Sequence, residues 1–271
     1  HELISPLSDT YDNDFAIAHL LGNIFLKMGE TEKAKPVLLS AARQNPSDLD
    51  TVLKAADMVL GRNQIVSKQD DNGPLGDLEI ILNAALSENP KNELLKLRLA
   101  DLDRLMGRSQ KAHDNYTKLA MADQGQKDMP GWRIQYGLGL TSVALGDIEI
   151  GLAALQDAAY TQPDNLEILH ALAQTYVKAD LHEKALETAK SAITAKPQDI
   201  DNLIWYAQFN ADQNQTTEAL QALQQALQSD PDRLEISYLI AKNQISKGAL
   251  DKAYKHLDSL IANEKSKGNL L

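Results

Sequence analysis

Six histidines, a close pair of glycines and several carboxylate clusters are the residues of this 271-residue chain with the chemistry to hold a metal, a nucleotide or a reacting proton. None has the spacing that such chemistry needs. His1, His19, His113, His170, His182 and His256 include no pair at i, i+4, the separation that lets one helix face chelate zinc. Gly137-Leu138-Gly139 lacks both the preceding strand and the third glycine of a dinucleotide loop. Asp70-Asp71-Asn72-Gly73 resembles the start of a calcium loop, but Pro74 stands where an oxygen ligand is required and Ile81 where the bidentate glutamate belongs. Asp101 and Asp103 are two apart, which on a helix points them to different faces and not toward a shared proton. With no cysteine, thiol catalysis, disulfides and Cys-ligated zinc are excluded. The expectation is a chain that is not an enzyme, holds no metal and takes no cofactor.

The elements that carry these residues must be helices. Hydrophobic residues make up 43% of the chain but aromatic ones only 5%, and the abundance of Ala and Leu favours helix over strand. A net charge of −11 argues against a nucleic-acid partner, because phosphate binding needs a basic stripe. No apolar run approaches the ~18 residues of a membrane-spanning helix. The absence of cysteine leaves the compartment open, a cytoplasmic location being favoured over a periplasmic one. The chain starts at His1 and not at Met, which suggests a processed form or part of something longer.

Prolines reveal the organisation. Pro163, Pro197 and Pro231 recur at 34-residue steps, each after an Ala-rich apolar stretch. In the same register stand the small residues Gly22, Ala56, Ala100, Gly139, Ala173, Ala207 and Ala241, and then Ala34, Ala112, Ala185, Ala219 and Ala253. Small residues at fixed places are what closely crossing helices require. Gly29, Gly107, Gly146 and Gly248 fall between the two helices of a unit as stop signals. Asp48, Asn92, Asn165 and Asp199 follow the prolines as N-caps, with Arg233 as the exception.

With these columns the sequence resembles the tetratricopeptide-repeat family over residues 15–267, leaving 1–14 as a lead-in and 268–271 as a tail. Seven repeats begin near Phe15, Leu49, Glu93, Trp132, Leu166, Ile200 and Leu234, with insertions at 61–77 and 122–131. The resemblance implies an all-α, right-handed superhelical solenoid whose first helices line a concave groove. It directs His19 and Asn23 of the first repeat, Arg98 of the third and Tyr136 of the fourth toward that groove. His170 and Gln174 of the fifth, Gln208 of the sixth, and Tyr238 and Lys242 of the seventh follow. Some members of the family clamp a chaperone's C-terminal carboxylate with Lys and Asn residues. Here Lys54 replaces an expected Asn and Leu94 an expected Lys, which argues against that clamp.

The implied function is that of a scaffold or adaptor holding a protein or peptide partner in the concave groove. The alternative is a regulatory or targeting module of a larger enzyme or membrane-anchored assembly protein. Self-association through exposed terminal repeats is a third expectation.

Overall fold

The computed structural model describes residues 14–61, 73–122 and 130–266. Among these, fourteen helices follow one another without a strand. They are α1 (Phe15–Lys27), α2 (Thr31–Gln44), α3 (Leu49–Leu60), α4 (Pro74–Glu88), α5 (Glu93–Leu105), α6 (Ser109–Ala122) and α7 (Gly131–Leu145). There follow α8 (Ile148–Thr161), α9 (Leu166–Lys178), α10 (His182–Ala195), α11 (Ile200–Asp212), α12 (Thr216–Ser229), α13 (Leu234–Ser246) and α14 (Leu250–Ser266). The chain divides into two compact units, residues 1–154 and 155–271, with the boundary inside α8.

The stop and start signals act largely as the sequence suggests. Gly29, Gly107, Gly146 and Gly248 all have φ between 74° and 97°, where a Cβ would be strained, so the chain can leave the helix there. Asp180 and Asn214 take the same left-handed conformation in the two turns that lack glycine. Asn92, Asn165 and Asp199 cap the following helices by accepting backbone N–H bonds. Asp48 is a correction: its carboxylate accepts instead from the Thr51 hydroxyl at 2.6 Å and caps no backbone N–H.

The insertion expected over 61–77 is also shorter at its far end. Pro74 to Asp77 are the first turn of α4, with Pro74 at the start of the helix, where its missing N–H would have had no partner. Residues 62–72, and 123–129 of the second expected insertion, lie outside the described residues, as do 1–13 and 267–271.

Within each unit the small-residue columns sit at closed helix crossings. Ala34, Ala56, Ala100 and Ala112 are fully buried in unit 1, and Ala173, Ala185, Ala207 and Ala219 in unit 2. A methyl group on Gly22 would press into Leu38 of α2, which is why the column holds nothing larger there. The core of unit 1 runs from Leu21 and Leu38 through Val52 and Leu82 to Leu102, with a second cluster around Tyr116 and Ile134. That of unit 2 gathers Leu203, Ile204, Leu223, Ile236 and Ile240.

Candidate partner-binding site

In unit 1 the first helices of successive pairs, α1, α3, α5 and α7, carry polar side chains that meet across the pairs. Lys54 Nζ donates to Asn23 Oδ1 at 2.8 Å, and Asn23 Nδ2 lies 3.0 Å from His19 Nε2. His19 Nδ1 lies 2.6 Å from Thr51 Oγ1, whose hydrogen goes to Asp48. Thr51 therefore accepts from His19, which fixes the imidazole with its hydrogen on Nδ1 and leaves Nε2 to accept from Asn23. Asp50 also binds Lys54, at 2.6 Å. This lysine is held by groups of its own chain.

Further along, Arg98 corrects an expectation. Placed by sequence on an open groove, it is only 8% exposed, and its Nε donates to Asp57 Oδ1 at 2.9 Å. Asp101 is 4% exposed and accepts from the Tyr116 hydroxyl at 2.7 Å and from Arg133 at 2.8 Å. Arg133 also approaches Asp57 at 3.6 Å. Two carboxylates and two guanidiniums thus alternate across α3, α5 and α7. Asp103, on the other side of α5, receives Arg108, Lys111 and Asn115. Arg108 also binds Glu79, which holds the Glu79 carboxyl below its ordinary range. Tyr136 stands beside this network, with the Arg104 guanidinium 5.9 Å from its ring centroid.

Tyr116 is fully buried, and burial followed by the Asp101 charge pushes its phenol well above its ordinary value of about 10. A raised folded-state value means that this contribution to stability is complete below pH ~10 and is lost as pH rises toward the folded value. A phenol that ionises only with alkaline unfolding is the expected result of an ultraviolet pH titration. Tyr116→Phe removes that late phase, and a titration with no late phase in the wild type contradicts the assignment.

Unit 2 presents a different surface on its own first helices, α9, α11 and α13. His170 Nε2 donates to Asn202 Oδ1 at 2.8 Å, since the Asn202 amide hydrogen is occupied by the Ala192 carbonyl. The imidazole so fixed stacks on Trp205 at 3.6 Å between centroids, and Trp205 stacks on Phe209 at 5.1 Å. A cleft of about 350 Å³ opens between α9 and α11. Trp205, Phe209 and Val177 line it together with the amides of Gln174 and Gln208 and the opposite charges of Lys178 and Asp212. The sequence reading placed Gln174 and Gln208 on one face, and here they share one cleft. Tyr238 and Lys242 are exposed on α13, outside it. A cleft of about 320 Å³ in unit 1, lined by Leu86, Leu99 and Leu119 with Lys96 and Lys118, was not expected from the sequence.

Three tetratricopeptide-repeat profiles match residues 16–48, 136–200 and 210–266, together more than half of the chain. The chain belongs to the tetratricopeptide-repeat family. It is similar to the TPR repeat-containing protein YpiA of Bacillus subtilis, with 22% identity over 253 residues. That match covers 86% of this chain but spans only 60% of the curated relative's length. Among solved structures it resembles TTC0263 of Thermus thermophilus, with a TM-score of 0.56 and 18% identity over 72% of this chain and 98% of the other. MamA of Desulfovibrio magneticus RS-1 gives a TM-score of 0.51 and 16% identity, covering 64% of this chain and 96% of the other. These likenesses show the fold.

The tetratricopeptide register also explains which partners the sequence reading missed. His19 meets Thr51, Asp101 meets Arg133, His170 meets Asn202 and Asp201 meets Arg233, each pair 32 residues apart. In the repeats of plain length, as for His19, His170 and Asp201, a residue therefore faces the one a repeat on and two back, whereas Asp101 and Arg133 keep the step of 32 across a longer repeat. Asp57 and Arg98 are 41 apart because the insertion intervenes. A search for complementary polar residues at the 32-residue step would have found Asp101 with Arg133 but not Asp57 with Arg98. Among the described residues no group of three or more His, Asp or Glu is placed to hold a metal ion. None of the described helices is long and apolar enough to cross a membrane.

Proposed function

We propose that this chain is a protein-interaction scaffold that works without catalysis, and that the cleft between α9 and α11 anchors an extended peptide segment of its partner. Tetratricopeptide-repeat proteins bind protein or peptide partners, and the observation that carries the narrower reading is the aromatic and amide cleft of unit 2. Stacked Trp205 and Phe209 offer a rigid apolar floor, on which an inserted side chain loses water without ordering the receptor. The Gln174 and Gln208 amides each donate and accept, which suits the alternating N–H and C=O groups of an extended backbone. In unit 1 the corresponding face is closed on itself by ion pairs, so His19, Asn23 and Tyr136 act as secondary contacts. The proposal includes the division into a lead-in at 1–14, repeats over 15–267 with a concave groove on their first helices, and a tail.

A peptide selected from a random library against the whole chain is expected to lose at least about tenfold in affinity, roughly 1.4 kcal/mol, with Gln174→Ala plus Gln208→Ala. The matched control is Glu187→Ala plus Gln221→Ala on α10 and α12, both exposed. Gln156 is unsuited to that control because its amide donates to the Tyr176 hydroxyl at 2.7 Å. Calorimetric titration in which the control pair loses binding and the cleft pair keeps it contradicts the proposal.

A further inference from the structure

The third repeat departs from the others at two places on α5, and both departures line one cleft. The repeats open on a large apolar residue, Phe15, Leu49, Trp132, Leu166, Ile200 or Leu234, except the third, which opens on Glu93. Three residues further on, Ala18, Val52, Leu169 and Leu203 are at most 5% exposed and Gln135 and Ser237 are uncharged, whereas the third repeat has Lys96. Charges at places that the fold elsewhere fills with uncharged, mostly apolar side chains break a local rule, and such breaks are expected where a site is built.

Glu93, Lys96 and Leu99 follow one another at steps of three along α5, and Lys118 and Leu119 of α6 line the same cleft of about 320 Å³. Leu86 of α4 adds to its apolar wall. The volume lies at the low end of small-molecule sites, which span ~300–1,000 Å³. Oε2 of Glu93 is shut off from water and has no hydrogen-bond partner. A carboxylate stripped of part of its water gains more from a cation brought to it than an exposed one does. Among the described residues the Lys96 and Lys118 ammonium groups meet no acceptor, and the Asn115 amide in the cleft is turned to Asp103 at 3.4 Å. One carboxylate, two ammonium groups and an apolar wall thus share a small cleft, and the charges are not answered from within the chain.

We propose that this cleft binds a free apolar α-amino acid of about the size of leucine. The ligand's α-carboxylate pairs with Lys96 and Lys118, its α-ammonium with Glu93, and its side chain rests against Leu86, Leu99 and Leu119. A fatty acid or a peptide C-terminus would satisfy the lysines but bring nothing to Glu93, and an apolar amine would do the reverse. The zwitterion is the smallest ligand that answers all three. The proposal is independent of the peptide cleft of unit 2, with which it shares no residue.

Calorimetric titration of L-leucine into the whole chain tests it. Binding with a Kd below about 1 mM is expected, within the range open to so small a ligand. Leucinamide, which lacks the carboxylate, and N-acetyl-leucine, which lacks the ammonium group, should each bind about tenfold more weakly or worse. Glu93→Leu restores the residue type of the other repeats, so it should melt no lower than the wild type and yet lose leucine binding by about tenfold or more. Lys96→Met plus Lys118→Met should lose it as well, and if that variant unfolds by circular dichroism, the leucinamide comparison tests the same pairing in the wild type. Gln174→Ala plus Gln208→Ala should leave leucine binding unchanged, and a loss there would move the site to unit 2. The absence of saturable heat with leucine at roughly 10 mM overturns the proposal. So does N-acetyl-leucine that binds as tightly as leucine, which would make the cleft a site for amphipathic anions. Undiminished binding by Glu93→Leu, or a melting temperature below the wild type's, overturns the role of Glu93 and the zwitterion with it.

Discussion

Asp101→Ala is expected to lower the stability of unit 1 by about 3–5 kcal/mol, the range for removing one partner of a buried ion pair. The carboxylate is 4% exposed and serves two groups at once, the Tyr116 hydroxyl and the Arg133 guanidinium. Its loss leaves a phenol without an acceptor in the core and a three-quarters-buried cation whose nearest remaining carboxylate oxygen, on Asp57, is 3.6 Å away. That second carboxylate moderates the effect and places it toward the lower end. Asp101→Asn keeps an acceptor for Tyr116 but loses the charge, so it should fall between wild type and alanine. The chain has two tryptophans, Trp132 in unit 1 and Trp205 in unit 2. In a Trp205→Phe background, denaturant unfolding followed by Trp132 fluorescence reports unit 1 by itself. A double-mutant cycle with Arg133→Ala should recover part of the loss, and strict additivity would mean that the two side chains do not interact.

Gly137→Ala reverses the usual sign of a helical glycine substitution. In an exposed helix interior the change gains about 1 kcal/mol. At Gly137, however, the new methyl group would lie within 2.7 Å of three carbons of the Tyr116 ring. The ring is fully buried and tethered through its hydroxyl to Asp101, so it cannot swing aside as the end of a leucine can. Overpacking of this kind costs typically 1–3 kcal/mol and occasionally more. With a rigid ring at the clash the upper end applies, and the net expectation is a loss of about 2 kcal/mol after the helix-propensity gain. Tyr116→Leu removes the clashing ring atoms, and in that background Gly137→Ala should become stabilising. The same sign in both backgrounds would contradict the contact.

The repeat was legible because backbone requirements leave a mark in residue type. Proline after five of the second helices, glycine in four turns and alanine at crossings are restrictions that few residues meet. Where two residue types meet a requirement, the mark fades: Asp180 and Asn214 adopt the glycine conformation without being glycine. Asp48 looked like its fellow caps until Thr51 offered its carboxylate a hydroxyl. Gly137 lies in no nucleotide loop, and the reason for a glycine there, a tyrosine ring from the preceding helix, is a packing fact that no local pattern records. Phase alone put Gln174 and Gln208 on one face, and both line the cleft of unit 2. The closure of Arg98 and Asp101 was not legible, because phase tells which way a side chain leaves its helix and not whether the neighbouring helix answers with the opposite charge.

The alternation of charge across α3, α5 and α7 bears on how such a chain can be lengthened or shortened over generations. The second repeat supplies one carboxylate, Asp57; the third supplies Arg98 and Asp101; the fourth supplies Arg133. Excision of the third repeat removes one charge of each sign and leaves Asp57 and Arg133 to answer each other. Excision of the second strands Arg98, and excision of the fourth strands Asp101, each nearly sealed from water. Of these three repeats only the third, electrically neutral one can be deleted or duplicated without creating a lone buried ion, so the copy number of this segment is free to drift at that position and restrained at its neighbours.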